Sequence, residues 1–285
     1  MHDTPARQQH RRLWLFSGTG EGPPLAMSLL ALGWRVRLSV VTSAAADRYP
    51  SHPALELRVG KLGGAASLSR QLLQARELGE PFTAVVDATH PFASRIQAEL
   101  AQGSTTAGVP LLRLERGSGC QASGSQGSGC GTVQELLDLP SLRAVPLAGT
   151  RLLLAIGSRH LAEALRCSPG ALHHARVLPD PAAVRQALGA GLQPDRLAPL
   201  HPRIPNLRTG AQPLTGQVEA ALVRRWGIAA ILARASGPPT ETLWRRVAAA
   251  EGCRLLLLRR PQRGSSSTAG LSAETLLQTL AAWDC

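Results

Sequence analysis

The chain has 285 residues and a formal net charge of +12 at pH 7, and 44% of its residues are hydrophobic and 3% aromatic. This length allows one large domain or two domains of ordinary size. No apolar run reaches the roughly 18–20 residues that span a bilayer, and the charged, proline-containing start lacks the apolar region of a signal peptide. We therefore expect a cytoplasmic protein that has no membrane partner.

The positive charge comes almost entirely from arginine, because Lys61 is the only lysine among 31 basic residues. The arginines are scattered along the chain and do not form one stripe, and the few aromatic residues offer bases little to stack on. Arginine binds carboxylates and phosphates through two parallel hydrogen bonds. The composition therefore favours an anionic small molecule, and not a nucleic acid, as the partner.

The cysteines predict neither a disulfide framework nor a metal centre. Their number is odd, none forms a C-x₂-C pair, and no cysteine and histidine group has zinc-finger spacing. His173 and His174 are adjacent, so on a regular element they would point in different directions. The five cysteines are Cys120, Cys130, Cys167, Cys253 and Cys285.

The first predicted elements are a strand, a glycine-rich turn and a helix. After a disordered basic leader over residues 1–12, residues 13–16 form a buried strand, residues 17–22 form the turn, and Pro23 and Pro24 open the helix. Glycines in such a turn let the backbone approach a phosphate, while the N–H groups and dipole of the helix face the anion. The pattern indicates a nucleotide site, although a plain tight turn explains the same residues.

The glycine pattern matches a dinucleotide fingerprint only in part. Gly18 and Gly20 fit the first two positions of G-x-G-x-x-G, but the third position falls on Pro23. A second strand over residues 35–42 ends among hydroxyl groups, and the first acid after it is Asp47. Because an acid at this place suits NAD and a basic or hydroxyl group suits NADP, the pattern mildly favours NADP(H). Ordinary polar residues at a strand end are the alternative.

A short strand over residues 82–86 leads to the most distinctive corner of the chain. Asp87, Thr89 and His90 follow this strand, and Pro91 begins a helix. Ligands of open α/β sheets bind beyond the carboxyl ends of the strands, so this corner is a candidate site. The alternative is that Asp87 only caps the helix and that His90 is neither a ligand nor an acid.

Five strand–helix units predict a doubly wound parallel sheet in the first half, and the second half repeats the rhythm. Residues 117–131 form a low-complexity loop, and residues 132–135 fit a capping box that opens a short helix. We place the domain boundary at residue 145, which gives domains over 13–145 and 146–285. The second half has strands at 151–156 and 228–233, each ending at a polar corner, then a terminal helix at 273–283.

The run Val86-Asp87-Ala88-Thr89-His90-Pro91-Phe92-Ala93 resembles the signature of the precorrin-6A reductases, which are enzymes of cobalamin biosynthesis. Residues 17–21, 109–116, 157–160 and 236–237 are also similar to segments of this family. Ser17 stands where the family has glycine, and Ala233 and Arg234 stand where it has threonine and lysine. The resemblance covers residues 13–261 and implies two Rossmann-like domains with mainly parallel sheets and an active site in the cleft between them.

The resemblance also implies a reaction, in which NADPH donates a hydride to a C=C bond of precorrin-6A or cobalt-precorrin-6A. The residues expected to bind the cofactor are Gly18, Thr19, Gly20, Glu21, Thr42, Asp87, Thr89 and His90. The residues expected to bind the macrocycle are Arg95, Ser158, Arg159, Arg234, Ser236 and Gly237. Ser158 alternatively fits a helix N-cap. His90 or His160 is the candidate proton donor, with water as a third choice, and no metal is expected.

Two other functions fit parts of the pattern. A methyltransferase shares the strand, glycine turn and helix, but it needs an acid at the end of the second strand, where this chain has none close by. A basic protein without enzymatic activity that binds nucleic acid or phosphate fits the net charge. We favour the reductase, which we expect to act as a monomer on a small tetrapyrrole substrate.

Overall fold

The structure, a computed structural model, describes residues 11–115, 132–200, 216–261 and 270–283. The predicted loop at 117–131 lies outside these residues, as does the predicted leader apart from its last two residues. Of those two, Arg12 begins a strand and is only 7% exposed, so the leader prediction is wrong there. In the described residues, no helix is both long and apolar enough to cross a membrane.

Strands and α-helices alternate along most of the described chain. The strands are β1 (Arg12–Ser17), β2 (Arg35–Val40), β3 (Leu55–Val59), β4 (Ala84–Ala88), β5 (Leu111–Leu114), β6 (Val133–Leu136), β7 (Arg151–Ala155), β8 (Leu172–Val177), β9 (Leu197–Pro199), β10 (Ala230–Arg234), β11 (Arg254–Leu258) and β12 (Gly270–Leu271). The helices are α1 (Gly22–Ala31), α2 (Ser43–Ala46), α3 (Ala65–Glu77), α4 (Ser94–Ala107), α5 (Leu161–Cys167), α6 (Pro181–Gly189), α7 (Gln217–Trp226), α8 (Thr240–Ala250) and α9 (Ala273–Ala282).

These strands form two six-stranded parallel sheets, one in each of two compact units. The first sheet has the order β12-β5-β4-β1-β2-β3, and the second has the order β6-β11-β10-β7-β8-β9. In the first sheet the chain starts at β1 in the middle, continues to β3 at one edge and then builds the other half from β4. The second sheet repeats this path from β7 to β11, but its sixth strand, β6, comes first in the chain and pairs at the edge. This confirms the predicted α/β class with two doubly wound parallel sheets. The expected active site between the domains stays a prediction.

The two units divide the chain differently from the predicted domains 13–145 and 146–285. β6 precedes the predicted boundary, yet it pairs with β11 in the second sheet. β12 and α9 come near the end of the chain, yet β12 pairs with β5, and Leu276 and Leu280 of α9 pack in the core of the first unit. The sequence analysis did not predict this exchange, because it identified neither β6 nor the two-residue β12 as a strand.

The helix predicted from the capping box at 132–135 is also wrong, because most of these residues belong to β6. Val133 and Leu136 align with Leu255 and Leu258 of β11 in a parallel ladder. A single helical turn orders several residues for few hydrogen bonds, whereas pairing with β11 satisfies backbone groups along the whole segment.

The central strand of the first sheet is covered on both faces. Along β1, Leu13 and Leu15 pack in a cluster with residues of α1 and α9, whereas Trp14 and Phe16 pack in a cluster with residues of α3 and α4. This alternation is expected for a parallel sheet between two layers of helices. Because β1 is held from both sides, the position of the polar turn at its carboxyl end is well defined.

Candidate functional site

The first candidate corner lies where the strand order of the first sheet reverses, between β1 and β4. Phe16 aligns with Asp87 and Ser17 aligns with Ala88, so the turn after β1 and the corner after β4 are neighbours. The Thr19 hydroxyl donates a hydrogen bond to the Ala88 carbonyl over 3.3 Å. The structure thus brings together the two segments that the sequence singled out, and we call this group the first corner (residues 17–22 and 87–93).

In the glycine-rich turn of the first corner, Gly22 is closely surrounded by side chains, whereas Gly18 faces free space. A Cβ on Gly22, the first residue of α1, would overlap the hydroxyl groups of Ser17 and Tyr49. Gly22 therefore permits the close approach of helix and strand that the fingerprint assigns to its third glycine. Gly18 is exposed, and a Cβ there would meet nothing within 4 Å. The backbone at Gly18 is therefore accessible to a bulky ligand.

The first turn of α1 offers fewer donors to an anion than the sequence suggested. Pro23 and Pro24 have no N–H group. The Gly22 N–H donates to the Thr19 carbonyl over 3.3 Å, and the Leu25 N–H donates to the Glu21 carbonyl over 3.1 Å. The expectation that N–H groups of this helix face an anion is therefore wrong for these residues, although the helix dipole still points toward the turn.

Asp87 is the best-defined side chain of the first corner. It belongs to β4 and is 1% exposed. Its Oδ1 accepts hydrogen bonds from the Thr89 N–H over 3.0 Å and from the Thr89 hydroxyl over 2.6 Å. Its Oδ2 accepts one from Nε of Arg113 over 2.9 Å. Both carboxylate oxygens are thus occupied within the protein, so Asp87 shapes the corner. It does not cap α4, whose N-cap is Ala93.

His90 lies in a tight turn that precedes α4. Its Nδ1 accepts a hydrogen bond from the Phe92 N–H over 3.2 Å, which assigns the ring proton of the neutral imidazole to Nε2. The His90 carbonyl accepts from the Ala93 N–H over 2.8 Å and from Nε2 of Gln97 over 3.1 Å. The helix predicted to begin at Pro91 therefore begins only at Ser94, because the turn holds the intervening residues.

The end of β2 provides exposed hydroxyl groups beside the first corner. Thr42 and Ser43 are exposed, and Oγ1 of Thr42 caps α2 by accepting from the Ala45 N–H over 3.3 Å. Ser39, in contrast, accepts a hydrogen bond from the indole of Trp14 over 2.9 Å and belongs to the sheet packing. Of the hydroxyl groups weighed in the sequence, Thr42 and Ser43 remain accessible.

The second candidate corner lies at the equivalent place of the second sheet, between β7 and β10. Ala155 aligns with Ala233, so residues 157–160 and 234–237 follow neighbouring strands, and we call them the second corner. Gly157 has a φ of +81°, and a Cβ there would lie 3.3 Å from Nη2 of Arg234. The guanidinium of Arg234 therefore packs directly over the backbone of the first loop.

Positive charge dominates the second corner. Burial, followed by the nearby charge of Arg159, lowers the pKa of Arg234 to about 10, so this side chain is still a cation at neutral pH. Burial also lowers the pKa of His160, and the charges of Arg234 and Arg159 lower it further against the opposing effect of Glu163. His160 is therefore mainly neutral at pH 7, and the corner attracts anions through its two arginines.

The remaining residues predicted to bind the macrocycle have contacts within the second unit. Ser158 donates to Oε1 of Gln186 over 2.9 Å, and the N-cap alternative is wrong because a 3₁₀ turn separates Ser158 from α5. Ser236 is 2% exposed. The Gly237 N–H donates to Oε2 of Glu241 over 2.9 Å, so this amide is used within the protein.

Arg95 is a surface residue of the first unit. Its side chain is 93% exposed on α4, where Nε pairs with Oε1 of Glu99 over 2.9 Å. Sequence reasoning missed Arg113 and also Arg260, whose Nε donates to the Ala235 carbonyl of the second corner over 2.9 Å. An arginine inside or just after an apolar strand was the available signal for both. Among the described residues, no group of three or more His, Cys, Asp or Glu side chains could hold a metal ion.

Comparison with known proteins agrees with the resemblance noted in the sequence. The family model "Precorrin-6x reductase CbiJ/CobK" matches residues 12–281. The chain is 31% identical over 252 residues to a cobalt-precorrin-6A reductase of Synechocystis sp., with 88% of each chain covered. It is 29% identical over 286 residues to a precorrin-6A reductase of Sinorhizobium sp., with 99% of this chain and 97% of the other covered. A solved structure, "CobK precorrin-6A reductase", matches with a TM-score of 0.66 and 27% identity, covering 95% of this chain and 96% of that one.

Proposed function

Because the chain belongs to the precorrin-6x reductase family, we propose that it reduces a C=C bond of a precorrin-6A-type macrocycle with NADPH. Membership makes it an oxidoreductase of cobalamin biosynthesis and removes the methyltransferase and the nucleic-acid-binding protein as alternatives. The observation that supports the site assignment is the strand order of the two sheets. The two groups of predicted site residues follow the strands between which each sheet reverses its order, where doubly wound sheets bind ligands.

The first corner fits a nicotinamide dinucleotide. The open space at Gly18 lets a pyrophosphate approach the backbone of Gly18, Thr19, Gly20 and Glu21. The exposed hydroxyl groups of Thr42 and Ser43 suit the adenosine ribose of NADPH. No acid that would favour NADH lies between the end of β2 and Asp47. Bound NADPH supplies the hydride. Asp87 and Thr89 hold the corner rigid, which orients the ligand that the corner binds.

The second corner fits the carboxylate groups of the macrocycle. Arg159 and Arg234 place two positive charges near one another, and an anionic substrate relieves their repulsion as it binds. Hydrogen bonds between charged groups contribute about 1.5–3 kcal/mol each, so two such contacts suffice to orient a ring. Ser158, Ser236 and Gly237 shape this corner. We include Arg95 as a more peripheral contact, in line with its exposure.

Two histidines remain candidates for the proton that completes the reduction. The ring proton of neutral His90 is on Nε2, so His90 can donate a hydrogen bond through that atom. His160 is mainly neutral at pH 7, and bound carboxylates would raise its pKa by offsetting the charge of the two arginines. Solvent water is the third source. Because both reactants are water-soluble anions, we propose that the reaction takes place in the cytoplasm.

A titration with NADPH and with NADH, followed by nicotinamide fluorescence, tests the cofactor assignment. The variant Gly18→Val fills the open space over the turn, and because a Cβ there meets nothing within 4 Å, we expect it to fold. Its matched control is Gly189→Val, at an exposed glycine of the second unit that also has free space around its Cβ. Thermal unfolding of both variants checks the fold.

We expect the parent chain and Gly189→Val to bind NADPH more tightly than NADH. Gly18→Val should weaken NADPH binding by more than about tenfold, which requires a loss of only about 1.4 kcal/mol. Unchanged NADPH binding by Gly18→Val would remove the first corner as the nucleotide site. Consumption of NADPH in the presence of precorrin-6A then tests the reaction itself.

A further inference from the structure

We propose that Arg113 is a positioning residue of this reductase: it clamps Asp87 and thereby fixes the segment that carries Thr89 and His90. Arg113 belongs to β5, outside the residues to which the sequence assigned a role in the site. The link from this segment to the nicotinamide cofactor rests on the proposed function. The contacts that hold the segment lie wholly within the first unit.

Arg113 and Asp87 form a buried ion pair across neighbouring strands. The two residues are aligned in the ladder of β4 and β5, and their side chains are 7% and 1% exposed. Nε of Arg113 lies 2.9 Å from Oδ2 of Asp87. A buried ion pair is weak evidence for stability, because apolar residues of similar volume are often as stable. The pair is better explained by the geometry that it imposes.

Arg113 holds the segment from both of its ends. At the start, Asp87 uses its other oxygen, Oδ1, to accept from the N–H and the hydroxyl of Thr89. At the far end, Nη2 of Arg113 donates to the Gln97 carbonyl over 3.4 Å, and the Gln97 side chain donates to the His90 carbonyl over 3.1 Å. One guanidinium therefore connects strand β4, the turn and the first part of α4.

The constrained turn also decides which ring nitrogen of His90 carries the proton. Nδ1 of His90 accepts from the Phe92 N–H only while the turn keeps these two atoms 3.2 Å apart. That bond selects the tautomer with the proton on Nε2. If Arg113 no longer holds Asp87 and Gln97, the turn loosens and both tautomers become populated.

The variant Arg113→Gln tests this inference, and the chain offers a matched control in Arg12→Gln. Arg12 is 7% exposed, belongs to the same sheet and pairs through Nη1 with Oε2 of Glu80 over 2.9 Å. Arg12 differs from Arg113 in its distance from the candidate site. It is the first residue of β1, whereas the candidate site follows the carboxyl end of that strand. Both variants lose a buried guanidinium of the first sheet, so thermal stability should fall in both.

Two measurements separate positioning from stability. The first is the ¹⁵N NMR signature of the His90 ring in the chain without added ligand, assigned through its loss in His90→Gln. The second is kcat/KM for NADPH-dependent reduction. Arg113→Gln should replace the Nε2–H signature by that of mixed tautomers and lower kcat/KM by about 10²-fold, the scale expected for a misplacement of about 1 Å. Arg12→Gln should change neither. Arg113→Lys keeps the positive charge but lacks the planar guanidinium, so its kcat/KM should lie between those of Arg113→Gln and the parent chain.

An unchanged His90 signature together with unchanged kcat/KM in Arg113→Gln would overturn the inference. Equal changes in Arg12→Gln would do the same, because the effect would then be one of general stability. If Arg113→Gln does not fold, Arg113→Lys takes its place and is judged by the same two measurements. If the parent chain binds no NADPH, the proposed function fails, while the His90 signature still decides whether Arg113 positions the turn.

Discussion

Five strands of each sheet follow the same order, yet the charged groups of the two corners differ. In the first corner, a buried aspartate is fully paired with Arg113 and Thr89. In the second, Arg159 and Arg234 carry like charges near each other, and burial with that repulsion lowers the pKa of Arg234 to about 10. A corner whose ion pair is buried keeps a fixed shape, whereas two nearby positive charges favour the approach of an anion. The same arrangement of strands thus holds an ion-paired corner in one sheet and a positively charged corner in the other.

The largest effect that distinguishes the corners should come from Asp87→Ala. This change leaves Arg113 buried without its carboxylate, and breaking a buried ion pair in this way costs about 3–5 kcal/mol. Urea unfolding measures the loss in free energy of unfolding. Asp138→Ala, at an exposed carboxylate that only accepts from Ser141, is the control and should cost far less. Equal losses in the two variants would contradict the view that the first corner is locked by Asp87.

Arg159→Gln should affect substrate binding instead of stability. We expect KM for the macrocycle to rise by the equivalent of about 1.5–3 kcal/mol, since one charge-assisted contact is lost. NADPH binding should stay unchanged, and the pKa of Arg234 should move back toward its ordinary value because a repelling neighbour is removed. Steady-state kinetics and an NADPH titration check this.

Two further arginine variants sharpen that result. Arg225→Gln removes an exposed charge from α7 and should leave KM unchanged. Arg95→Gln tests the sequence prediction that Arg95 also binds the macrocycle, and its 93% exposure leads us to expect a smaller rise in KM than for Arg159→Gln. A larger rise for Arg95→Gln would shift the substrate site toward α4.

Gly157→Ala and Gly18→Ala compare the loops that follow the two central strands. Gly157 has φ +81° and ψ 160°, a conformation that only glycine adopts readily, so alanine should cost about 1–3 kcal/mol there. The added Cβ would also press on Nη2 of Arg234 and raise KM for the macrocycle. Gly18 has free space and no such φ, so alanine should be tolerated. Calorimetry and kinetics on both variants test this, and a similar cost at both positions would contradict it.

Acid pH should lower the free energy of unfolding of the second unit. We expect this change to be smaller than those of the variants above. Burial lowers the pKa of His173 and of His174 below the ordinary value near 6.5. Between the folded and unfolded pKa values the unfolded chain binds more protons, so stability is lost as pH falls below about 6.5. Hydrogen exchange of β8 at pH 7.5 and 5.5, measured by mass spectrometry, should show faster opening at the lower pH. His173→Gln should reduce the difference, and an unchanged difference in that variant would assign it to other groups.

Local patterns predicted the strands and the corners well but not the contacts between distant segments. The apolar runs around Leu15 and Val86 identified β1 and β4, and the polar residues after them identified the first corner. The pairing of Asp87 with Arg113 depends on the alignment of β4 with β5, which no periodicity specifies. The exchange of β6 and β12 between the units was missed because neither segment was predicted as a strand: residues 132–135 were predicted as the start of a helix, and β12 has only two residues.

Two helix starts were also predicted wrongly, because hydrogen bonds to other parts of the chain compete with those of a helix. Pro91 is a good first residue of a helix, but the His90 carbonyl closes a turn with Ala93 and binds the Gln97 side chain, so α4 begins later. The residues around Glu135 fit a capping box, but pairing with β11 orders them as a strand. A signature for a cap is thus overruled wherever another strand or side chain offers more bonds.

The sequence by itself determined the family, the α/β class and the places of both corners. It did so because apolar runs that end in polar residues are local features, and because the run that contains Asp87 and His90 is long enough to be specific. Only the tertiary structure decided that Asp87 is locked, that Arg159 and Arg234 repel each other, and that Arg113 holds the His90 turn. These properties depend on burial and on the register of neighbouring strands, which arise only when distant segments pack together.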